Sequence, residues 1–285
     1  MMFDVPTQPP VPGMPSPADA PPTVTAGSPS RRSVLLGGAG IGVAGALYGA
    51  GRSAAAPAAP PRPRSHDVFA HGVASGDPLP DRVILWTRVS PTPAATPGSG
   101  VGAPVQVTWR IGTDSALRSV VASGTTTTGP ERDFTVKIDA TGLSPDTRYW
   151  YELSLTSAGA THRSPIGATR TAPPADADVS RVRFGVVSCA NWEAGYFGAY
   201  RHLLGRRDLS AIVHLGDYYY EYKTGEYTGK GHAIRVHAPR NEARTLRDYR
   251  IRHAQYKTDT DLAALHRALP WICTWDDHES ADNSW

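Results

Sequence analysis

The chain has 285 residues, of which 40% are hydrophobic and 19% charged, and its formal net charge is +3. This composition is too apolar for a wholly disordered protein, and the length suits one large domain or two ordinary ones. Residues 1–65 hold five arginines but only two acidic residues, so residues 66–285 are neutral overall. A neutral folded region argues against a nucleic-acid partner, because phosphate backbones bind basic surfaces. Two cysteines, Cys189 and Cys273, are too few for a disulfide framework or a zinc finger, although one bridge between them stays open.

Residues 1–58 are predicted to be a disordered leader followed by a twin-arginine signal peptide. Residues 1–29 are rich in Pro, Ser, Ala and Thr and show no apolar periodicity. Arg31 and Arg32 then precede a weakly apolar stretch, which is the twin-arginine pattern. The glycines of that stretch disfavour a membrane-anchoring helix, and no later apolar run is long enough to span a bilayer. We therefore expect a protein that the twin-arginine export machinery delivers to the periplasm or outside the cell.

Residues 66–173 are predicted to form a small β-sandwich. Five β-rich runs bounded by turn residues are the candidate strands: Val83–Val89, Val105–Ile111, Ser119–Ser123, Phe134–Ile138 and Tyr149–Leu153. The segment from Leu143 to Tyr151 has the proline and tyrosine spacing of a sandwich corner, where a tyrosine hydroxyl bonds back to the backbone. It is similar to the corner of fibronectin type III-like domains. The aromatic residues are therefore assigned to the core rather than to a ligand surface.

Residues 180–285 are predicted to form an α/β domain. Three buried strands are separated first by one helix and then by two helical segments, in the order Val182–Ser188, Tyr196–Arg206, Ala211–Leu215, Thr245–Lys257, Asp261–Ala268 and Trp271–Trp275. This order predicts a parallel sheet, in which ligands bind at the carboxyl ends of the strands. Three strands leave an uncovered sheet edge. The predicted fold class is multidomain, a fibronectin/Ig-like β-sandwich followed by an incomplete α/β domain.

Metal-competent residues follow each of the predicted parallel strands. Cys189 follows the first strand, Asp217 and Tyr220 follow the second, and Asp277 and His278 follow the third. One carboxylate can bridge two cations about 3.5–4 Å apart, an arrangement that clamps a phosphoryl group. Thiolate and phenolate ligands favour a trivalent or soft metal over magnesium, and a histidine can donate a proton. Each residue alone has an ordinary structural explanation, but their register predicts a metal site.

Other titratable residues are weaker candidates. His214 lies within an apolar strand and is expected to be a packed core histidine. The arginines of the predicted helix Thr245–Lys257 are expected on a solvated face. Arg250 or Arg252 could nevertheless bind a phosphate, because a guanidinium does so with two hydrogen bonds.

The motifs at the strand ends resemble the alkaline phosphatase D (PhoD-like) family of the calcineurin-like metallophosphoesterases. They read SCANW from Ser188, GDYYYEY from Gly216 and TWDDHE from Thr274. GVASGDP from Gly72, WTR from Trp86, the helix that begins at Thr245 and the leader fit as well, so the resemblance runs over nearly the whole chain. It implies a secreted enzyme that hydrolyses phosphomonoesters and phosphodiesters and releases inorganic phosphate.

The resemblance also implies a ligand set. Cys189, Asp217 and Tyr220 would hold Fe³⁺, and Asp217 would be shared with Ca²⁺. Asp277 takes the place of the asparagine in the superfamily's Gly-Asn-His-Asp/Glu motif, and His278 takes that of its histidine, here the catalytic residue. Family members continue beyond the third strand and add a Gly-Asp-x-His motif, so residues 180–285 are expected to be a C-terminally truncated metallophosphoesterase domain whose own activity is open.

Two alternatives stand beside this interpretation. A purple acid phosphatase-like enzyme also joins a fibronectin-like domain to an Asp-x-x-Tyr ligand pair, although Cys189 stands where that family has an aspartate. A non-catalytic exported binding fragment would retain phosphate binding without turnover. An alkaline pH optimum would indicate the PhoD-like enzyme, and an acidic optimum would indicate the purple acid phosphatase-like enzyme.

Overall fold

The computed structural model describes residues 67–157, 159–229 and 231–284. The predicted leader and signal peptide, residues 1–58, lie outside the described residues. The described part is mostly β-sheet, with eleven strands and three α-helices. None of the helices in these ranges is both long enough and apolar enough to cross a membrane.

The strands and helices have the following bounds. The strands are β1 (Val73–Leu79), β2 (Arg82–Arg88), β3 (Val105–Gly112), β4 (Val120–Thr128), β5 (Thr135–Thr141), β6 (Arg148–Ser157), β7 (Ala160–Arg163), β8 (Gly167–Arg170), β9 (Phe184–Val187), β10 (Ala211–His214) and β11 (Pro270–Cys273). The helices are α1 (Gly198–Leu204), α2 (Leu246–Lys257) and α3 (Thr260–Ala268), with short 3₁₀ turns at Pro130–Arg132 and Asp277–Glu279.

Two sheets form a sandwich over the first half of the described chain. A five-stranded sheet has the order β4–β3–β6–β7, with β8 also paired to β6. Strands β1, β2 and β5 of the second sheet contribute to the same apolar core, where Leu85 and Val136 join Ile111, Tyr151 and Leu153. Alternate residues of β2 and β5 are buried, as expected for strands with one face on a core.

The tyrosine corner predicted from the sequence is present. The Tyr149 hydroxyl accepts a hydrogen bond from the Ser144 amide at 2.8 Å, and the tyrosine is only 2% exposed. The ring packs in the sandwich core while its polar tip accepts from a turn amide, so the buried hydroxyl has a hydrogen-bond partner. This contact fixes the chain where β6 begins.

The second sheet joins the sandwich to the parallel strands. Its order is β5–β2–β1–β11–β10–β9, and β1 is antiparallel to β2 but parallel to β11. Ser75 pairs with Pro270 and Gly76 with Trp271. The three predicted parallel strands are present, but β11 also pairs with β1, so they form one end of a six-stranded sheet and β9 is the edge strand at that end. Sequence periodicity missed β1 because its sequence, VASGDPL, lacks a strand pattern.

The helices pack on one face of the parallel strands. Tyr200 of α1 and Leu262 and Leu265 of α3 share a buried core with Ile212 and Trp271. Helix α2 begins at a capping box in which Thr245 Oγ1 accepts from the Asp248 amide at 3.2 Å and the Asp248 carboxylate accepts from the Thr245 amide at 3.0 Å.

Because β9, β10 and β11 are parallel, their carboxyl ends lie together at one end of the sheet.

Candidate metal centre

The loops after β9 and β10 are tied together by their backbones. The Cys189 amide donates to the Gly216 carbonyl oxygen at 3.2 Å, and the Ala190 amide donates to the Asp217 carbonyl oxygen at 2.8 Å. Both Cys189 (φ 57°) and Asp217 (φ 53°) are in the left-handed region, which is costly for side-chain-bearing residues and recurs at functional sites. These bonds place the two side chains against each other.

Gly216 makes this close approach feasible. Its φ is +103°, and a Cβ at this position would lie 2.5 Å from both the amide nitrogen and the Cβ of Asp276. No L side chain fits there, because the backbones of the β10 and β11 loops are in near contact. The glycine before Asp217 is thus required by packing as well as by conformation.

The loop after β11 is a 3₁₀ turn over Asp277–Glu279, capped by Asp276. The carboxylate of Glu279 accepts from the Asp276 amide at 2.8 Å, from the Asp217 amide at 3.1 Å and from the Tyr218 amide. One carboxylate therefore holds the ends of β10 and β11 in register. Sequence reasoning gave Glu279 no role, although the D-x-x-E spacing from Asp276 to Glu279 is that of a capping box.

The five predicted site residues converge on the Asp217 carboxylate. Ligand atoms of Asp217, Asp277 and His278 lie within 4.8 Å of one another. Asp217 Oδ2 accepts from the Cys189 thiol at 3.4 Å and from the Tyr220 hydroxyl at 3.2 Å. Cys189 and Tyr220 thus meet the cluster through Asp217. The structure brings these side chains together, and their individual roles remain predictions.

The cluster has the character of a cation site. Asp217 is 7% exposed, and its Oδ1 atom is buried without a hydrogen-bond partner. Among the described residues, neither Asp217 nor Asp277 forms an ion pair with a lysine or arginine. A buried carboxylate without compensation is costly, and a bound cation removes that cost. Carboxylate, imidazole, phenol and thiol donors fit a metal ion.

Burial keeps Tyr220 protonated in the absence of a cation. Desolvation, with the nearby Asp217 carboxylate and the Cys189 thiol, raises the pKa of Tyr220 well above its usual value. The phenol consequently donates its hydrogen bond to Asp217. A cation would reverse this preference, because metal coordination favours the deprotonated form of a ligand.

His278 is held by a residue that sequence reasoning missed. Its Nδ1 atom lies 2.9 Å from Glu221 Oε2, and its ring centroid lies 4.3 Å from that of Tyr220. Burial by itself would lower the pKa of His278, but the hydrogen bond and charge of Glu221 outweigh it and raise the pKa. Asp277 beside it has a lowered pKa, chiefly because its carboxylate accepts from the Asn283 amide. Glu221 lies in the quoted GDYYYEY motif, but only the fold reveals its partner.

Arg252 is not available to bind a phosphate, and its predicted place on a solvated helix face is wrong. It is completely buried, and its guanidinium donates to five backbone carbonyl oxygens, those of Ala238, Pro239, Tyr220, Tyr222 and Asn241. All its donors are used to hold the segment that follows Asp217. The arginine therefore organises the loop beside the cluster.

Of the other sequence predictions, one stays open and one is confirmed. Arg250 donates to the Glu131 carbonyl oxygen at 2.6 Å, on the short turn within the sandwich, and its role in binding substrate stays a prediction. His214 is a core histidine as predicted: it is fully buried, and burial lowers its pKa to about 4. Both Cys189 and Cys273 are free thiols.

Comparisons with known proteins give a consistent match. The family model described as "PhoD-like phosphatase, N-terminal domain" matches residues 53–173, and "PhoD-like phosphatase" matches residues 184–285. Alkaline phosphatase D of Bacillus subtilis (strain 168) is 42% identical over 218 residues, which is 75% of this chain and 36% of that protein. The solved structure described as "Structure of PhoD" aligns with a TM-score of 0.71 at 42% identity, covering 77% of this chain and 41% of that one. The chain spans less than half the length of either relative.

Proposed function

The chain belongs to the PhoD-like phosphatase family, and on that premise we propose that it is part of a secreted, metal-dependent phosphoesterase that hydrolyses phosphate esters to inorganic phosphate. The observation that supports this proposal most is the Asp217 carboxylate, buried, unpaired at Oδ1 and surrounded by four further candidate ligands or catalytic groups. The proposal includes the division into a sandwich domain, residues 66–173, and a metallophosphoesterase domain, residues 180–285.

We assign the ligands as follows. Cys189, Asp217 and Tyr220 would hold Fe³⁺, and Asp217 and Asp277 would hold Ca²⁺. When bound, the metal ions would supply Lewis-acid polarisation of the phosphate ester and activation of the attacking water. The mixed donor set supports two different metals, because thiolate and phenolate suit the softer or trivalent ion and carboxylates suit the hard one.

The chain's own residues would then donate the proton that the departing alkoxide needs. His278 has Nδ1 bonded to Glu221, so Nε2 is the atom that would carry a proton to the departing alkoxide. Glu221 raises the pKa of His278 and so favours the protonated ring that such a donor needs. The rings of Tyr222 and Tyr227, 5.4 Å apart and next to Tyr220, would shield this proton transfer from water.

Export is the remaining element of the proposal. The Arg31-Arg32 pattern supports passage through the twin-arginine machinery to a periplasmic or secreted destination. Fractionation of a producing cell, with and without the change of both arginines to lysine, tests this element independently of activity.

Hydrolysis is tested by loading the purified protein with Fe³⁺ and Ca²⁺ and assaying one phosphomonoester and one phosphodiester. Asp217→Asn and His278→Asn are compared with Asp208→Asn, which changes a surface carboxylate paired with Arg183 and Arg206. We expect the first two variants to lose turnover and Asp208→Asn to keep it. Visible absorption from phenolate or thiolate on Fe³⁺ provides a readout besides turnover.

The outcomes separate the alternatives. Turnover with an acidic pH optimum would favour a purple acid phosphatase-like enzyme. Phosphate binding without turnover, with the metal bound, would favour a non-catalytic binding module. Absence of metal binding by the folded protein would refute the ligand assignment.

A further inference from the structure

A cavity lies beside the candidate metal centre and is lined by none of its five predicted site residues. Its volume is about 490 Å³, and its walls include Lys257, His266, Tyr218, Cys273, Thr274 and Trp275. Cys273, Thr274 and Trp275 are exposed, with Trp275 at 81%, whereas Lys257 and His266 are buried. The exposed residues form the mouth and the buried pair forms the floor. The size suits a small molecule.

Lys257 on the floor lacks a counter-ion. It is 7% exposed, and no ion pair joins it to a carboxylate in the described part of the chain. Its Nζ atom lies 3.0 Å from His266 Nε2 and 4.9 Å from the ring centroids of Trp86 and Tyr218. The two rings attract an ammonium group, but burial away from water outweighs this attraction, so the neutral amine is favoured.

The one carboxylate that lines the cavity, Glu279, is a poor counter-ion for Lys257 because its oxygens are already hydrogen-bonded. Glu279 already accepts hydrogen bonds from the amides of Asp217, Tyr218 and Asp276. The other titratable groups that line the cavity are two histidines, a thiol and two phenols: His253, His266, Cys273, Tyr218 and Tyr219.

The protonation states of the floor agree with this geometry. Burial lowers the pKa of Lys257 to about 7 and that of His253 to about 3. His266 Nε2 also lies 2.8 Å from the Tyr218 hydroxyl, so a chain of proton-exchanging groups reaches the amine. A neutral lysine next to such groups is the arrangement used by lysines that form imines.

We propose that this cavity binds small aromatic aldehydes and that Lys257 forms an imine with them. The Nζ lone pair attacks the carbonyl carbon, and the new carbon–nitrogen bond replaces the carbonyl π bond. The nitrogen loses its two protons in the course of the reaction, and the carbonyl oxygen leaves as water. No oxidant or reductant is required. The rings of Tyr218, Tyr219 and Trp275 provide the aromatic walls. The proposal is independent of the phosphoesterase function.

The experiment labels the intact protein with benzaldehyde at pH 7, traps the imine with cyanoborohydride and maps the labelled lysines by peptide mass spectrometry. The chain contains four lysines, and the exposed Lys137 and Lys223 are internal references. We expect Lys257 to react faster than these two by about tenfold or more, because a larger fraction of it is neutral at this pH. Equal or slower labelling of Lys257 in the folded protein would overturn the proposal.

Binding is separated from simple reactivity by the concentration dependence. The labelling rate at Lys257 is expected to saturate with benzaldehyde, whereas the rate at Lys137 rises linearly. Trp275→Ala, at the exposed mouth, should raise the concentration for half-saturation and leave Lys137 unchanged. A linear rate at Lys257 would show a reactive lysine without a binding site and would refute the proposed cavity function.

Discussion

His278 Nδ1 lies 2.9 Å from Oε2 of Glu221, and the second oxygen of the same carboxylate accepts from the Asp282 amide at 2.7 Å. The carboxylate is therefore fixed on both sides, and it orients the imidazole toward the cluster. Because both groups are nearly buried, the ion pair is shielded from solvent.

Replacement of Glu221 by glutamine is expected to lower the pKa of His278, because the negative charge that favours the protonated ring is removed. An NMR titration of the His278 ring protons in metal-free protein measures this change. Glu242→Gln, which removes a carboxylate paired with Arg244 at the surface, should leave the titration unchanged. An unaltered pKa in Glu221→Gln would contradict the assigned pairing.

Asp217→Asn should stabilise the metal-free protein and abolish its stabilisation by metal. The substitution removes a buried charge that has no paired cation, and we expect a gain of about 1–3 kcal/mol in the free energy of unfolding. Urea unfolding with chelator and with excess Ca²⁺ measures both effects. In the matched surface variant Asp208→Asn, the Ca²⁺-dependent increase should persist; its persistence in Asp217→Asn would argue against the site.

Gly216→Ala should destabilise the protein far more than Gly225→Ala. Both glycines have positive φ, +103° and +88°, but an added Cβ meets the Asp276 backbone at Gly216 and has open space at Gly225. We expect about 1 kcal/mol for the conformational strain alone at Gly225, and several times more at Gly216. Chemical denaturation of the two variants gives the comparison. Similar losses would show that packing between the two loops contributes little.

Arg252→Lys should be strongly destabilising even though it keeps the positive charge. A lysine has three donors in another geometry and would leave buried carbonyl oxygens unsatisfied, at a cost of about 3–5 kcal/mol. Arg247→Lys, at an exposed position of the same helix, should change the free energy of unfolding by less than about 0.5 kcal/mol. A near-neutral Arg252→Lys would restore Arg252 as a candidate for substrate binding.

Acid should weaken the fold through its buried histidines. Burial lowers the pKa of His214 to about 4, and burial with Arg252 and Arg235 lowers that of His237 to about 3. Because these values lie below the unfolded value, the neutral rings stabilise the fold fully above about pH 6.5, and this contribution is lost as the pH falls toward 4.

Each such histidine is expected to remove up to about 1.4 kcal/mol per pH unit in this range. His237→Phe should therefore flatten the dependence of the unfolding free energy on pH between 6 and 4.5, and His202→Gln, at an exposed position, should not. If the unfolding free energies of the two variants depend on pH in the same way, His237 does not contribute to the acid sensitivity of the fold.

Local sequence patterns identified much of the fold. The corner at Tyr149 is a local interaction, so residues a few positions apart suffice to predict it. Strand β1 was missed because its glycine- and proline-containing sequence, VASGDPL, lacks a strand pattern. Its conformation depends on pairing with β2 and β11, which periodicity within one segment cannot reveal.

In the site, too, local patterns predicted some residues, and contacts between distant parts of the chain hid others. Strand-end positions brought Cys189, Asp217 and Asp277 into consideration, because parallel strands end at one edge. The burial of Arg252 was not predictable, since its partners are backbone carbonyl oxygens and any loop sequence supplies those. Glu221 was missed because its partner, His278, lies 57 residues away in the sequence.

The pairing of β1 with β11 has a consequence during synthesis. Ser75 meets Pro270, so one side of β1 lacks its neighbour until the ribosome has made almost 200 further residues. At about 5–20 residues per second, this interval is on the order of 10–40 s. An unpaired strand is a site for aggregation throughout that time. We therefore expect the nascent chain to need protection by a chaperone, and its yield to depend more on chaperone supply than on the stability of the finished fold.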